Sequence, residues 1–234
     1  MAVVPKNSTA SHGDARTALR PAARHWLALG AVAGPILFTL GWLVLGFVSP
    51  GYTMWGTRVA PYSAINQPLS GLGLGPTGPF MNAVFILSGL LVVAGAIGVF
   101  RAIPELSPTA RWVGATLLAL PGLGSVMDGL FTLEHFFLHF VGFGFALSTV
   151  VGFPVVGYLL RRVSGWRRFG AWLIVAGPVT LALALAALYF ATFTPTVEGI
   201  QHGVAGLTER ILVVELQAWY VVVGWLALRR VGEG

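Results

Sequence analysis

Five of the eight acidic residues and three of the five histidines of this chain gather at one end of its apolar segments, the end that carries only two of its fourteen cations. The acids are Asp128, Glu134, Glu198, Glu209 and Glu215, and the histidines are His135, His139 and His202. Asp128 and His139 lie at equal distances from a turn centred between Leu133 and Glu134. An antiparallel helical hairpin therefore brings them to one depth, about one helical turn below the surface. A carboxyl beside an imidazole is an acid–base pair, and it is equally a contact that pins the hairpin. An acid costs up to ~3 kcal/mol at mid-membrane and less near the interface, so it takes a partner or faces the bundle interior.

His135 and His139 are four apart, the spacing that presents two imidazoles to one metal from one helix. His202 with Asp128 or Glu198 would complete four ligands, and zinc suits imidazole and carboxylate donors without thiolate. The pair lacks the internal glutamate of the zinc-protease helix, because Glu134 precedes the first histidine. Phe136, Phe137 and Phe140 also fit His135 to a plain interfacial position. Glu215 falls about 7 to 8 Å deeper than Arg210 at 1.5 Å per residue. It is a further acid–base candidate, or a hydrogen bond to a neighbouring helix through Ser88 or Ser125. Arg210 and Gln217, seven apart, share a helical face and form a candidate binding set with Ser70 and Asn66. Thr208 and Glu209 suit the start of that helix as cap and dipole partner.

Six apolar segments must position these groups: 26–49, 81–100, 112–133, 136–160, 169–193 and 211–228. Each is near the roughly 20 residues a bilayer span needs. With 56% hydrophobic residues, 9% charged and a mean hydropathy of +0.81, the chain is an all-α polytopic membrane protein. The net charge of +6 and pI near 10.5 do not signal nucleic acid, since the cations cap helix ends instead of covering a face. With no cysteine, disulfides, thiolate metal sites and cysteine nucleophiles are excluded. Twelve Lys and Arg fall on one side and only Arg58 and Arg210 on the other. That bias places both termini in the cytoplasm and predicts a multi-pass protein of the cell membrane. Residues 1–25 read as a disordered cytoplasmic tail, and 26–230 as the transmembrane domain.

Pro35, Pro121, Pro154 and Pro178 fall inside four segments and predict kinks, which open space between helices. Gly30 with Gly34, and Ala94 with Gly98, allow close helix contact at one-turn spacing. The external loop 50–80 is rich in Gly and Pro and holds Tyr52, Trp55 and Tyr62. It either folds over the outer mouth of the bundle or lies on the lipid surface.

Within this loop, Tyr62-Ser63-Ala64-Ile65-Asn66-Gln67-Pro68-Leu69-Ser70-Gly71-Leu72-Gly73 leads through Gly75-Pro76-Thr77-Gly78 to Phe80-Met81-Asn82. The run resembles the bacterial and archaeal membrane family catalogued as domain of unknown function 998, with its Ser-x-Leu-Gly core and Gly-Pro-Gly turn before Met-Asn. Asp128-Gly129-Leu130-Phe131, His139-Phe140-Val141-Gly142 and Gly206-Leu207-Thr208-Glu209-Arg210-Ile211 are similar to later family motifs in the same order. The family usually carries a longer linker between the positions of Phe131 and His139. The resemblance spans about residues 30 to 230 and implies a six-helix membrane fold, with no activity attached.

Three functions fit these features. An accessory protein would bind membrane lipid, pair with another membrane protein or self-associate through its helices. An enzyme acting on a lipid or isoprenoid would use Asp128, His139 or Glu215. A small transporter would need a polar path to the cytoplasm, and the inner halves of the segments are almost purely apolar.

Overall fold

The computed structural model describes residues 21–193, 196–197 and 200–232, so most of the expected tail and Glu198 lie outside the described residues. Among the described residues, six helical spans are long and apolar enough to cross a membrane: Trp26–Val48, Gly75–Arg101, Pro108–Leu130, Leu133–Leu160, Arg167–Phe193 and Ala205–Arg230. The chain is a multi-pass helical membrane protein. Its α-helices are α1 (Pro21–Val48), α2 (Gly78–Arg101), α3 (Pro108–Leu130), α4 (Phe136–Leu147), α5 (Thr149–Leu160), α6 (Arg167–Phe193) and α7 (Ala205–Gly232).

The fourth span is two helices, where the sequence predicts one. At the break, Ser148 N–H bonds Phe145 O at 3.2 Å, a tightened turn. The Ser148 and Thr149 hydroxyls donate to the Phe145 and Ala146 carbonyls at 2.7 and 2.9 Å, competing with the helical ladder. Pro154 then removes the donor that Val150 O would receive. The two halves part company: α4 packs mainly on α3, and α5 mainly on α6. The remaining neighbours, α1 on α2 and α7, α2 on α3, and α6 on α7, close the spans into a ring.

The α1–α2 contact is the close approach that small residues permit. A Cβ on Gly30 would lie 2.3 Å from Leu91 O, and one on Gly95 would lie 2.1 Å from Ala31 N. Gly30 and Gly34 meet α2 as their spacing predicts, whereas on α2 the seam runs through Gly95 and Gly98, with Ala94 only half-buried. At the end bearing the arginine-rich turns, Phe100, Leu118, Phe153, Trp166 and Leu173 fill the ring centre.

The opposite end is roofed by the long loop. Strands β1 (Tyr52–Met54) and β2 (Thr57–Val59) pair antiparallel, with Tyr52 opposite Val59. Their two-residue turn holds Trp55 at φ 46° and Gly56 at φ 79°, a hairpin geometry that glycine suits and tryptophan rarely adopts. Short 3-10 turns follow at Leu69–Gly73 and Gly75–Thr77. Leu69 and Leu72 are buried against Phe38, Trp42, Met81 and Phe85, so the loop folds into the mouth of the bundle.

Helix α7 begins at Ala205, six residues before the apolar segment the sequence marks. Thr208 is consequently inside the helix and does not cap it. Its hydroxyl donates back to Val204 O and Ala205 O at 3.1 and 2.9 Å.

Candidate functional site

A cavity of about 560 Å³ lies under the loop, between α2, α3, α4, α6 and α7. It exists because the break at Ser148 leaves α4 leaning on α3 and only lightly touching α6. Its wall is mostly hydrocarbon and aromatic. Phe136, Phe140 and Phe143 descend α4 as a column, with ring centroids 5.8 and 6.2 Å apart, facing Ala187, Leu188 and Ala191 of α6. Trp55 of the hairpin meets Phe136 at 6.5 Å, closing the mouth with an aromatic edge.

Polar groups enter this wall at a few points. The helical hairpin brings Asp128 and His139 to one depth, with Oδ1 and Nδ1 3.6 Å apart and both side chains 11% exposed. The separation is just beyond a hydrogen bond. Instead His139 Nδ1 donates to Phe131 O at 2.8 Å, and Asp128 Oδ1 is buried without a hydrogen-bond partner among the described residues. Below them, Ser125 and Ser88 both donate to Phe85 O, at 2.8 and 3.1 Å. Gln217, midway along α7, lines the same wall with Oε1 buried and unpartnered among the described residues. Ser70 lines it from the roof, and Glu209 from the first turns of α7.

Glu209 also holds the roof, since its Oε2 accepts the Leu69 N–H at 2.9 Å. The dipole role read from sequence is local, whereas this bond ties α7 to the loop. Arg210, next in sequence, turns the other way. It is buried, donates to Gln67 O and Gly206 O at 3.0 and 2.8 Å, and bonds the Tyr62 hydroxyl. Its guanidinium stacks 5.4 Å from the Trp42 ring. Burial pushes the Tyr62 phenol up to about 12, against the opposing pull of Arg210. Arg210 is thus a structural clamp on the loop.

The other sequence candidates fall outside the cavity wall. Glu215 faces α6, where it accepts from Thr180 Oγ1 at 3.0 Å and from Trp219 Nε1 at 2.6 Å. Neither Ser88 nor Ser125 is its partner. Asn66 is half-buried in the loop, its N–H on Ser63 Oγ at 3.4 Å. His135 and His202 are exposed. Among the described residues no three His, Asp or Glu side chains group as a metal site, and Glu198, a possible fourth ligand beside His135, His139 and His202, lies outside them. His135 ends the 3-10 turn Leu133–His135 with φ −94° and ψ 53°, just ahead of the helix that carries His139.

A family model described as "Protein of unknown function (DUF998)" matches residues 32–226, which takes in every residue of the cavity wall. The chain belongs to the DUF998 family. No curated protein and no solved structure matches it. The stretches that resemble the family's motifs fall where the cavity is built: Leu69 and Ser70 in its roof, Asp128 and His139 in its wall, and Glu209 at the junction. Sequence reading alone missed the Phe136, Phe140 and Phe143 column as a wall. Its signal was the i, i+4, i+7 spacing of rings on one helical face.

Proposed function

We propose that this DUF998 protein lies in the cell membrane with both termini cytoplasmic and binds one amphipathic, lipid-like molecule beneath its extracytoplasmic loop. The observation that carries this reading is the cavity: about 560 Å³, within the ~300 to 1,000 Å³ of small-molecule sites, apolar along its length and polar at a few points. The wall of Phe140, Phe143, Leu147 and Ala187 suits a hydrocarbon chain, and the light contact between α4 and α6 suits entry from the bilayer. The twelve-to-two bias of Lys and Arg read from the sequence supports the orientation. The packed centre at that end favours binding over transport.

The test is native mass spectrometry of the full chain released from a mild detergent. The wild type is expected to retain about one lipid-sized molecule. Ala191→Trp, which fills the cavity from an exposed position in α6, is expected to lose it. Equal retention by both, or none by the wild type, would end this reading. Orientation is checked separately in this cysteine-free chain by Thr57→Cys in the hairpin and Ser164→Cys in the 161–166 turn, both exposed. An impermeant thiol reagent applied to intact cells should label only the first.

A second reading is favoured by one observation, the Asp128 carboxyl 3.6 Å from His139 in the cavity wall. A lipid held there could undergo proton transfer, which would make the protein a membrane-embedded enzyme acting on its own ligand. Lipid recovered chemically unchanged from both wild type and Asp128→Asn would argue for binding alone.

A further inference from the structure

We infer that the cavity selects a long-chain amphiphile whose head donates hydrogen bonds and carries no negative charge, an amine or an alcohol, and rejects phosphate and carboxylate heads. The inference rests on the amphiphile-binding reading above and adds the chemistry of the head.

The buried polar atoms of the wall that lack a partner among the described residues are acceptors, while Trp55, Thr192 and the Gln217 amide in the same wall also carry donors. Ser88 Oγ and Ser125 Oγ each donate their single proton to Phe85 O, at 3.1 and 2.8 Å, which leaves lone pairs for anything else. His139 Nδ1 donates to Phe131 O, so in the neutral ring Nε2 is an acceptor. Asp128 Oδ1 and Gln217 Oε1 are buried acceptors with no partner among the described residues. Glu209 brings a second carboxyl to the same wall. A buried acceptor left unpaired is costly, and a donor in the cavity relieves that cost.

Counter-charge is arranged the opposite way. Among the described residues, no Lys or Arg lines the cavity. The cation closest in sequence to Glu209, Arg210, directs its guanidinium into the loop, at Gln67 O, Gly206 O and the Tyr62 hydroxyl. A phosphate or carboxylate head would therefore meet two carboxyls and several lone pairs, with no cation among the described residues of the wall. An anion desolvated with no counter-charge is strongly disfavoured. An ammonium head gains both a donor and a counter-charge, and a hydroxyl head gains the donor alone.

Four probes with one chain length test this: hexadecylamine, hexadecanol, palmitate and hexadecyl phosphate. Each is titrated onto the purified full chain in a mild detergent and read by native mass spectrometry, with Ala191→Trp measuring adducts formed outside the cavity. The amine and the alcohol are expected to saturate at one per chain, with palmitate and the phosphate at least about tenfold weaker. Asp128→Asn is expected to weaken the amine about tenfold while leaving the alcohol bound. Palmitate or hexadecyl phosphate binding within about threefold of the amine would overturn the head-group selection while leaving amphiphile binding intact. No saturable adduct with any of the four would instead remove the binding reading itself. The wild-type comparison needs no variant, so it decides even if Asp128→Asn fails to fold.

Discussion

Glu209 Oε2 accepts the Leu69 N–H at 2.9 Å, joining two residues 140 positions apart in the chain. Leu69 is buried at the head of a 3-10 turn, where its N–H has no solvent to turn to. One carboxyl on α7 thus fixes the height of the roof over the cavity. Glu209→Leu should leave that donor unpaired and cost about 1 to 3 kcal/mol, whereas Glu209→Gln keeps an acceptor and should lose less. Thermal unfolding in detergent and amide exchange across 69–73 would measure both. Equal loss in the two variants would mean that the Leu69 bond is not what Glu209 contributes.

Arg210 acts on the same loop with the opposite charge. Its fork reaches Gln67 O and the Tyr62 hydroxyl together, and a lysine ammonium cannot reproduce that planar pair. Arg210→Lys should therefore destabilise by about 1.5 to 3 kcal/mol, the worth of a charge-assisted bond, and Arg210→Met by more. Unchanged thermal stability in Arg210→Lys would show that point charge alone suffices.

Stability should also report on Tyr62 at alkaline pH. Burial raises its phenol from 10.0 to about 12, and Tyr52 is raised as well by burial. A group whose folded value is raised holds its proton more tightly in the native state. The contribution is full below pH 10 and is lost as pH climbs from 10 toward 12. Unfolding midpoints should stay level from about pH 8 to 9.5 and then fall, and the fall should be shallower in Tyr52→Phe with Tyr62→Phe. An identical alkaline slope in the double variant would place the titrating group elsewhere.

The legible parts of the molecule are those set by local pattern. Six apolar runs gave six spans because hydropathy reads the solvent, and the Asp128 with His139 proximity followed from counting residues either side of one turn. The break at Ser148 was hidden because apolar residues continue across it, while its cause lies in two hydroxyls competing for carbonyls at 2.7 and 2.9 Å. Glu209 was read through its sequence neighbours, as a dipole partner, when its bond is to Leu69 far away in the chain. The i, i+4 spacing of His135 and His139 reads as one helix, whereas His135 closes the 3-10 turn Leu133–His135 and the helix itself starts at Phe136. The cavity itself emerges only from how α4 and α5 divide between α3 and α6, which no linear pattern encodes.

Gly142 gives the most direct handle on the seam between α3 and α4. A Cβ there would lie 2.2 Å from Asp128 Oδ1 and 2.9 Å from Gly124 O, and a Cβ on Gly124 would lie 2.3 Å from Gly142 O. The two glycines let the helix backbones approach until the Asp128 carboxyl rests against α4. Gly142→Ala must either swing that carboxyl away from His139 or push α4 off α3. Helix propensity favours alanine by about 1 kcal/mol, so a purely local effect would stabilise the protein. The expected result is the reverse: a net loss of about 1 to 3 kcal/mol, the range of an overpacked contact, together with loss of the retained lipid. Gly144→Ala is the control, because nothing lies within 4 Å of a Cβ at that position on the same helix. If both variants gain stability alike and both keep the lipid, the close approach at Gly142 does not set the shape of the site.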